Sequence, residues 1–140
     1  MAFAAIVDAS AMVALFGRDQ PYKAHYMSLF EKAVSENWSL TSTWPCITEA
    51  SHLLGLPQRY AFLRWVAADG LFVFPFGQDQ LESLVALMRR YTESPRTEMD
   101  LADASLVWLA SDTGVNRIMT LDVGDFSRYR LPDGQAFEIL

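Results

Sequence analysis

Short apolar segments alternate with segments of helical character along the whole chain. The apolar runs have the length of buried strands, whereas the segments between them place apolar residues at helical spacing. The expected strands cover residues 3–7, 40–42, 71–74, 117–121 and 136–139. The expected helices cover residues 9–16, 21–35, 45–55, 57–69, 78–91 and 101–111. This alternation predicts an α/β fold in which a mainly parallel central sheet is covered on both faces.

Length and composition fit a single globular domain spanning residues 1–140. Of the 140 residues, 51% are hydrophobic and 20% are charged, and domains commonly contain about 100–200 residues. The sequence shows no repeat, low-complexity tract or linker. It also lacks the basic start and long apolar run of a signal peptide, and the roughly 18 uninterrupted apolar residues of a membrane span. We therefore expect a cytoplasmic protein with no membrane partner.

The net charge and the scarcity of cysteine and histidine limit the kinds of binding site that the chain can form. Eleven Lys and Arg against 17 Asp and Glu give a net charge of −6, which argues against nucleic-acid binding by charge alone. Cys46 is the single cysteine, so we expect neither a disulfide nor a cysteine-based zinc site. His25 and His52 are expected to be ordinary helix residues. A bound divalent cation inverts the charge of an acidic site and would remove the objection to nucleic acid.

Five acidic residues are candidates for a site, and four of them fall near the ends of the predicted elements. Asp8 and Asp122 each follow a predicted strand, and parallel strands present ligand-binding residues at their carboxyl ends. Asp100 and Asp103 share one face at the start of the last predicted helix. Whether that helix begins at the same edge of the sheet depends on the loop before it, and the pattern leaves this open. Glu49 lies among apolar residues of the third predicted helix.

Two explanations fit these acids. Carboxylate oxygens are the ligands that Mg²⁺ and Mn²⁺ prefer, and such ions activate water and stabilise the leaving oxygen in phosphoryl displacement. Alternatively, Asp8, Asp100 and Asp122 cap the helices that follow them, and Asp103 interacts with a helix dipole. Glu49 is then a solvated helix residue. The residues alone leave both a metal-dependent hydrolase and simple helix capping open.

The same acids lie in four motifs that resemble those of the PIN-domain family, and within it the VapC-type toxins of bacterial toxin–antitoxin pairs. Residues 6–10 (IVDAS) look like the family's opening hydrophobic–Asp–Thr/Ala–Ser motif, and residues 47–50 (ITEA) look like its helical Glu motif. Residues 99–106 (MDLADASL) resemble its third acidic motif, and residues 120–126 (TLDVGDF) resemble its closing Thr-x-Asp…Asp-Phe motif. The order and spacing agree over nearly the whole chain.

This resemblance implies a PIN-like three-layer α/β/α sandwich with a mainly parallel central sheet, in which the acids converge. It implies Mg²⁺ or Mn²⁺ as cofactor. It also implies that Asp8, Glu49, Asp103 and Asp122 form the catalytic, metal-binding quartet. Asp103 is preferred to Asp100 because it directly precedes a small residue, as in the family pattern.

The resemblance further implies a reaction and a role for each residue. The reaction is hydrolysis of an RNA phosphodiester by a metal-activated water, without a covalent enzyme intermediate. Glu49 either binds metal or orients the attacking water, and the two roles stay open. Asp100 and Asp125 are outer or alternative ligands, and Ser10 and Thr120 position carboxylates or water by hydrogen bonds.

The implied partners are an RNA substrate, a second copy of the chain in a homodimer, and a cognate antitoxin whose tail covers the site. Arg96, Arg128 and Arg130 are candidates for contacts with RNA phosphates or antitoxin carboxylates, with ordinary solvated arginine as the alternative. Aromatic residues on the helices are candidates for apolar partner contacts, with core packing as the alternative: Tyr22, Tyr26, Phe30, Trp38, Trp44 and Trp65.

Other functions are weighed against this one. A haloacid-dehalogenase-type phosphatase needs a second Asp two residues after the first, where this chain has Ser10. A receiver domain needs an acidic pair before the phosphorylated Asp and a late Lys, and neither is present. The remaining alternative is a catalytically inactive PIN-like module that binds RNA or protein, although all four acids are intact.

Overall fold

A computed structural model of the chain describes residues 3–94 and 97–140. Within these residues, five strands form one sheet in the order β3-β2-β1-β4-β5, and every neighbouring pair is parallel. The strands are β1 (Ala4–Val7), β2 (Ser39–Ser42), β3 (Phe72–Val73), β4 (Arg117–Met119) and β5 (Glu138–Ile139). The helices are α1 (Ala9–Phe16), α2 (Lys23–Ser35), α3 (Trp44–Leu53), α4 (Gln58–Ala67), α5 (Leu81–Tyr91), α6 (Leu101–Thr113) and α7 (Val123–Arg128). A short 3₁₀ turn, Gln78–Gln80, leads into α5.

The central strand is buried on both faces. Ala5, Ile6 and Val7 are completely inaccessible to solvent, although successive side chains of a strand point to opposite faces of the sheet. Helices must therefore cover both faces at this strand, as expected for a parallel sheet. The fold is thus the expected three-layer α/β/α arrangement with a parallel central sheet.

The chain reverses its direction of growth beside β1. Strands β2 and β3 are added on one side of β1, and β4 and β5 are added on the other side. Pairing of Val7 with Met119 places the carboxyl ends of β1 and β4 next to each other, and the Asp8 N–H donates to the Met119 carbonyl at 3.0 Å. Such a reversal opens a crevice at the carboxyl ends of the strands, where α/β sheets bind ligands.

Helix α6 is apolar on nearly all sides and is buried accordingly. Residues 102–107 and 109–110 are buried, and Trp108 is half-buried. Asp100 caps the helix by accepting a hydrogen bond of 2.8 Å from the Asp103 N–H. Gly114 ends the helix with a φ of 75°, in the left-handed region that glycine adopts without strain. Because α6 is enclosed by the core, its first turn also lies against neighbouring elements.

Several segments differ from the sequence-based expectation. The expected strands at 71–74, 117–121 and 136–139 are shorter, and the segment after Asp122 forms α7, which the pattern did not predict. Helix α7 has six residues, of which only Phe126 is buried, so it carries no apolar repeat that periodicity could detect. In the described part of the chain, no helix is long and apolar enough to cross a membrane.

Candidate metal centre

Three carboxylates from distant parts of the sequence meet at the carboxyl edge of β1 and β4. One oxygen each from Asp8, Asp103 and Asp122 lies within 4.8 Å of the other two. Asp8 directly follows β1, Asp122 follows β4 after a short connection, and Asp103 lies in the first turn of α6. The start of α6 therefore lies at this edge, which resolves the ambiguity that the sequence pattern left.

Asp8 is both a helix cap and a member of the carboxylate group. It is the N-cap of α1, where its Oδ1 accepts a hydrogen bond of 2.7 Å from the Ala9 N–H. Its Oδ2 accepts from the Thr120 hydroxyl at 2.7 Å and from the Ser10 hydroxyl at 3.3 Å. Capping and membership of an acidic site are thus compatible explanations of the same residue. Asp122 precedes α7 but makes no side-chain capping bond.

Ser10 and Thr120 connect the two sides of the crevice. Their hydroxyl oxygens are 3.3 Å apart. The Ser10 hydroxyl also accepts from the Leu121 N–H at 2.9 Å, and the Thr120 hydroxyl accepts from the Asp122 N–H at 3.0 Å. These bonds fix the loop after β4 to the start of α1, and they hold the backbone of Asp122 beside Asp8.

Asp103 is held by a residue that the motifs do not contain. Its Oδ2 accepts a hydrogen bond of 2.8 Å from the Tyr129 hydroxyl. Tyr129 lies directly after α7 and is fully buried. Sequence reasoning missed this residue. The sequence offered only the general rule that a buried tyrosine usually finds a hydrogen-bond partner for its hydroxyl, and that rule does not identify the partner.

Burial disfavours ionisation of all three carboxylates, and the charges of neighbouring acids add to this effect. Desolvation raises the pKa of Asp8 to about 8, and the charges of Asp103 and Asp122 add to the effect, although the Thr120 hydrogen bond opposes it. Desolvation likewise raises the pKa of Asp103 to about 7, against the hydrogen bond from Tyr129. The pKa of Asp122 is also raised, first by desolvation and further by the charges of Asp125 and Asp100, although a hydrogen bond with Asp8 opposes the rise. A nearby cation would favour the charged form of each group.

The donor set fits a hard divalent cation. Only carboxylate oxygens make up the group, and Mg²⁺ and Mn²⁺ prefer oxygen ligands. Within the described residues, the salt bridges join Arg117 to Glu138 and Arg128 to Asp125. Neither includes one of the three carboxylates, so neither neutralises them. A bound metal ion would therefore supply the positive charge that these three carboxylates lack.

Glu49 lies outside this group of three. It is an exposed residue of α3. Desolvation raises its pKa, and the charges of Asp100 and Asp122 raise it further. These interactions place Glu49 within electrostatic reach of the site. Of the four expected site residues, the structure brings three together and leaves Glu49 at their periphery.

The two other acids considered from the sequence also lie at the periphery. Asp100 is exposed, and one of its side-chain oxygens caps α6. Asp125 pairs with Arg128 at 3.3 Å. Both add negative charge around the group, since each contributes to the raised pKa of Asp103.

The arginines proposed to contact a partner already have intramolecular contacts. Arg128 also donates to the Tyr91 carbonyl at 3.1 Å. Arg130 donates to the backbone carbonyls of Ser127 and Tyr129 at 2.7 and 2.8 Å. Arg96 lies outside the described residues.

The aromatic candidates divide between core and surface. Tyr26 and Phe30 are buried, and the pKa of Tyr26 rises to about 12 because of desolvation and the nearby charges of Asp8 and Asp122. Trp38 and Trp65 line an apolar groove of about 680 Å³ beside α2. Tyr22 and Trp44 are more than half exposed. His25 and His52 are exposed helix residues, as expected.

Comparisons with known proteins show the fold. No family model matches the sequence, and no curated protein matches it. A solved structure, "Crystal Structure of FitAcB from Neisseria gonorrhoeae", is similar to this chain with a TM-score of 0.52 and 18% sequence identity. The match covers 87% of this chain and 90% of that chain. The chain therefore has the PIN-like three-layer α/β/α fold that its motifs predicted.

Proposed function

We propose that the protein is a metal-dependent endoribonuclease. The observation that carries the proposal is the convergence of Asp8, Asp103 and Asp122 at the carboxyl ends of β1 and β4. Burial and neighbouring charges raise their pKa values, and a bound cation would favour the charged form of each carboxylate. The resemblance of the four acidic motifs to those of PIN-domain nucleases selects RNA phosphodiesters as the substrate.

In this proposal, Asp8, Asp103 and Asp122 hold Mg²⁺ or Mn²⁺, and Glu49 completes the catalytic set. The ion, when bound, activates water and offsets the charge that develops on the leaving oxygen. Thr120 and Ser10 hold the Asp8 carboxylate by donating hydrogen bonds to Oδ2. Glu49 is exposed beside the group, where a carboxylate can accept a proton from the attacking water or bind the metal.

We further propose that this nuclease is the toxin of a toxin–antitoxin pair, of the VapC type, acting as a cytoplasmic homodimer. Support comes from the motif resemblance and the PIN-like fold. A cognate antitoxin would neutralise the enzyme by covering the acidic crevice. The crevice has no neutralising salt bridge from the described residues, so a basic antitoxin side chain would complement it.

The nuclease proposal is tested with purified protein that is free of antitoxin. We expect cleavage of structured RNA with Mg²⁺ or Mn²⁺, no cleavage with EDTA, and loss of cleavage in Asp8→Asn and Asp103→Asn. Asp112→Asn is the matched control, because Asp112 is exposed near the other end of α6. RNA left intact by folded wild-type protein under both metals would falsify the proposal in favour of an inactive binding module.

The toxin proposal has a separate test. Induced expression of the wild-type chain should arrest growth, and Asp8→Asn should not. Co-expression of a small protein encoded by the neighbouring reading frame should restore growth. Growth unaffected by wild-type protein that cleaves RNA in vitro would contradict the toxin role and leave the nuclease role standing.

A further inference from the structure

We propose that Tyr129 is a positioning residue of the metal centre, which holds the Asp103 carboxylate in the orientation that binds the cation. The inference rests on the proposed metal site and adds a residue from outside the four acidic motifs. Tyr129 donates a hydrogen bond from its hydroxyl to Oδ2 of Asp103 at 2.8 Å. A carboxylate has about four acceptor positions, so this bond leaves others for a cation.

The ring of Tyr129 is fixed by its surroundings. It is completely buried and meets Tyr91 and Phe126 edge to face, with ring centroids 5.1 and 5.0 Å apart. The guanidinium carbon of Arg128 lies 5.3 Å from the centroid of the same ring. A ring enclosed in this way directs its hydroxyl to a single place, and that place is Asp103.

The two buried carboxylates of the site are held in the same manner. Thr120 donates to Oδ2 of Asp8 at 2.7 Å, as Tyr129 donates to Oδ2 of Asp103. In each case a hydroxyl on a segment after β4 fixes a carboxylate carried by another element. Outer hydrogen bonds that orient ligands commonly change metal affinity by about 10–100-fold when removed. Tyr129 is thus the counterpart of Thr120 for the second ligand.

A purely structural role makes a different prediction. If the bond only satisfied a buried phenol, its removal would alter the free energy of unfolding and leave the intrinsic metal affinity unchanged. Metal affinity therefore separates the two roles. It is also independent of whether the protein turns over RNA.

The test is Mn²⁺ binding to the full chain, measured by the loss of the free-ion EPR signal at constant pH. Tyr129→Phe keeps the ring and removes the hydroxyl, and we expect its Kd for Mn²⁺ to rise about tenfold. Tyr91→Phe is the matched control in the same aromatic cluster. The Tyr91 hydroxyl accepts from the Arg130 N–H at 3.1 Å, and among the described residues it is bonded to no acid. The Kd of Tyr91→Phe for Mn²⁺ should therefore stay within twofold of wild type.

The outcomes separate this inference from the proposed function. A wild-type chain that binds no Mn²⁺ overturns both. A wild-type chain that binds, with Tyr129→Phe binding equally well or Tyr91→Phe equally impaired, overturns the positioning role alone. Tyr129→Phe should also add little to Asp103→Asn in a double-mutant cycle, because the hydroxyl acts through that carboxylate.

A second measurement uses the wild-type chain and covers the case in which Tyr129→Phe does not fold. NMR resonances of the Tyr129 ring should shift when Mg²⁺ is added, because the ion changes the charge on the carboxylate that the hydroxyl contacts. Absence of a shift while the site binds Mg²⁺ overturns the positioning role.

Discussion

Thr120 donates a hydrogen bond of 2.7 Å to Oδ2 of Asp8 across 112 residues of sequence. The bond joins the end of β4 to the end of β1 at the point where the sheet changes its direction of growth. The same hydroxyl accepts from the N–H of Asp122. One side chain thereby sets the position of two of the three clustered carboxylates.

Thr120→Val should therefore damage both stability and metal binding. The substitution keeps the shape of the side chain but removes the shorter of the two hydrogen bonds to Oδ2 of the buried Asp8, leaving only the 3.3 Å bond from Ser10. Removing such a bond to a buried polar group typically costs about 1–3 kcal/mol in the free energy of unfolding. It should also raise the pKa of Asp8 further, since the Thr120 hydrogen bond lowers that pKa. Urea denaturation and Mn²⁺ titration measure the two effects.

Thr113→Val is the control for this substitution. The Thr113 hydroxyl bonds to the Leu109 carbonyl at the exposed end of α6, far along the helix from Asp103. Its removal should leave Mn²⁺ affinity unchanged. Equal affinities for wild type and Thr120→Val would contradict the role that we assign to the bond.

Metal-free protein should become less stable as the pH rises from about 4 to about 8. The folded pKa values of Asp8 and Asp103 are raised from 3.8 to about 8 and about 7, so the folded state holds more protons than the unfolded state in this range. Each extra bound proton lowers the free energy of unfolding by about 1.4 kcal/mol per pH unit. Chemical denaturation in EDTA across this range measures the slope.

Asp8→Asn should reduce that slope, because it removes the group with the larger shift. The variant should also be more stable than wild type at pH 8 when metal is absent, since no charge is then buried at residue 8. A stability of metal-free wild type that rises steadily from pH 5 to pH 8 would contradict the raised pKa values.

Added Mg²⁺ or Mn²⁺ should reverse the loss of stability at high pH. A ligand that binds only the folded state at 100 times its Kd contributes about 2.7 kcal/mol, which corresponds to roughly 9 °C in Tm for a chain of this size. The shift should be larger at pH 8 than at pH 6, because metal ligands must be deprotonated. Differential scanning fluorimetry of wild type and Asp103→Asn at the same metal concentration gives the comparison, with a smaller shift expected in the variant.

Local sequence signals were sufficient to predict the first elements of the fold. Helix α1 has the expected bounds, Ala9–Phe16, because Asp8 supplies the cap and Gly17 follows the last helical residue. Strand β1 was likewise predicted, since the central strand of a parallel sheet needs side chains that are apolar on both faces. Elements whose bounds depend on residues close in sequence can therefore be predicted from the sequence.

Other features depend on contacts that no local rule contains. Apolar residues recur at helical spacing on α5, but Leu81 and Val85 are more than 40% exposed while Leu84 is buried. Helical periodicity shows which side of a helix is apolar, but it does not show how much of that side neighbouring elements cover. The bond from Tyr129 to Asp103 similarly arises only when α7 packs beside the start of α6. Three of the four expected site residues meet because they follow strands or begin a helix at one edge, whereas the α3 residue Glu49 has no such constraint.

Glu49→Gln should separate catalysis from metal binding. Glu49 is exposed and lies outside the group of three carboxylates. We therefore expect the Kd of Glu49→Gln for Mn²⁺ to remain within about threefold of wild type, whereas the Kd of Asp103→Asn should rise at least tenfold. Removing a group that orients the attacking water should nonetheless lower kcat by about 10²–10⁴-fold. Single-turnover RNA cleavage at saturating Mn²⁺, together with EPR titration, measures both quantities. Glu31→Gln, an exposed substitution on α2, should change neither. A Kd that rises as much in Glu49→Gln as in Asp103→Asn would instead make Glu49 a direct ligand, carried to the ion by a rotation of its long side chain.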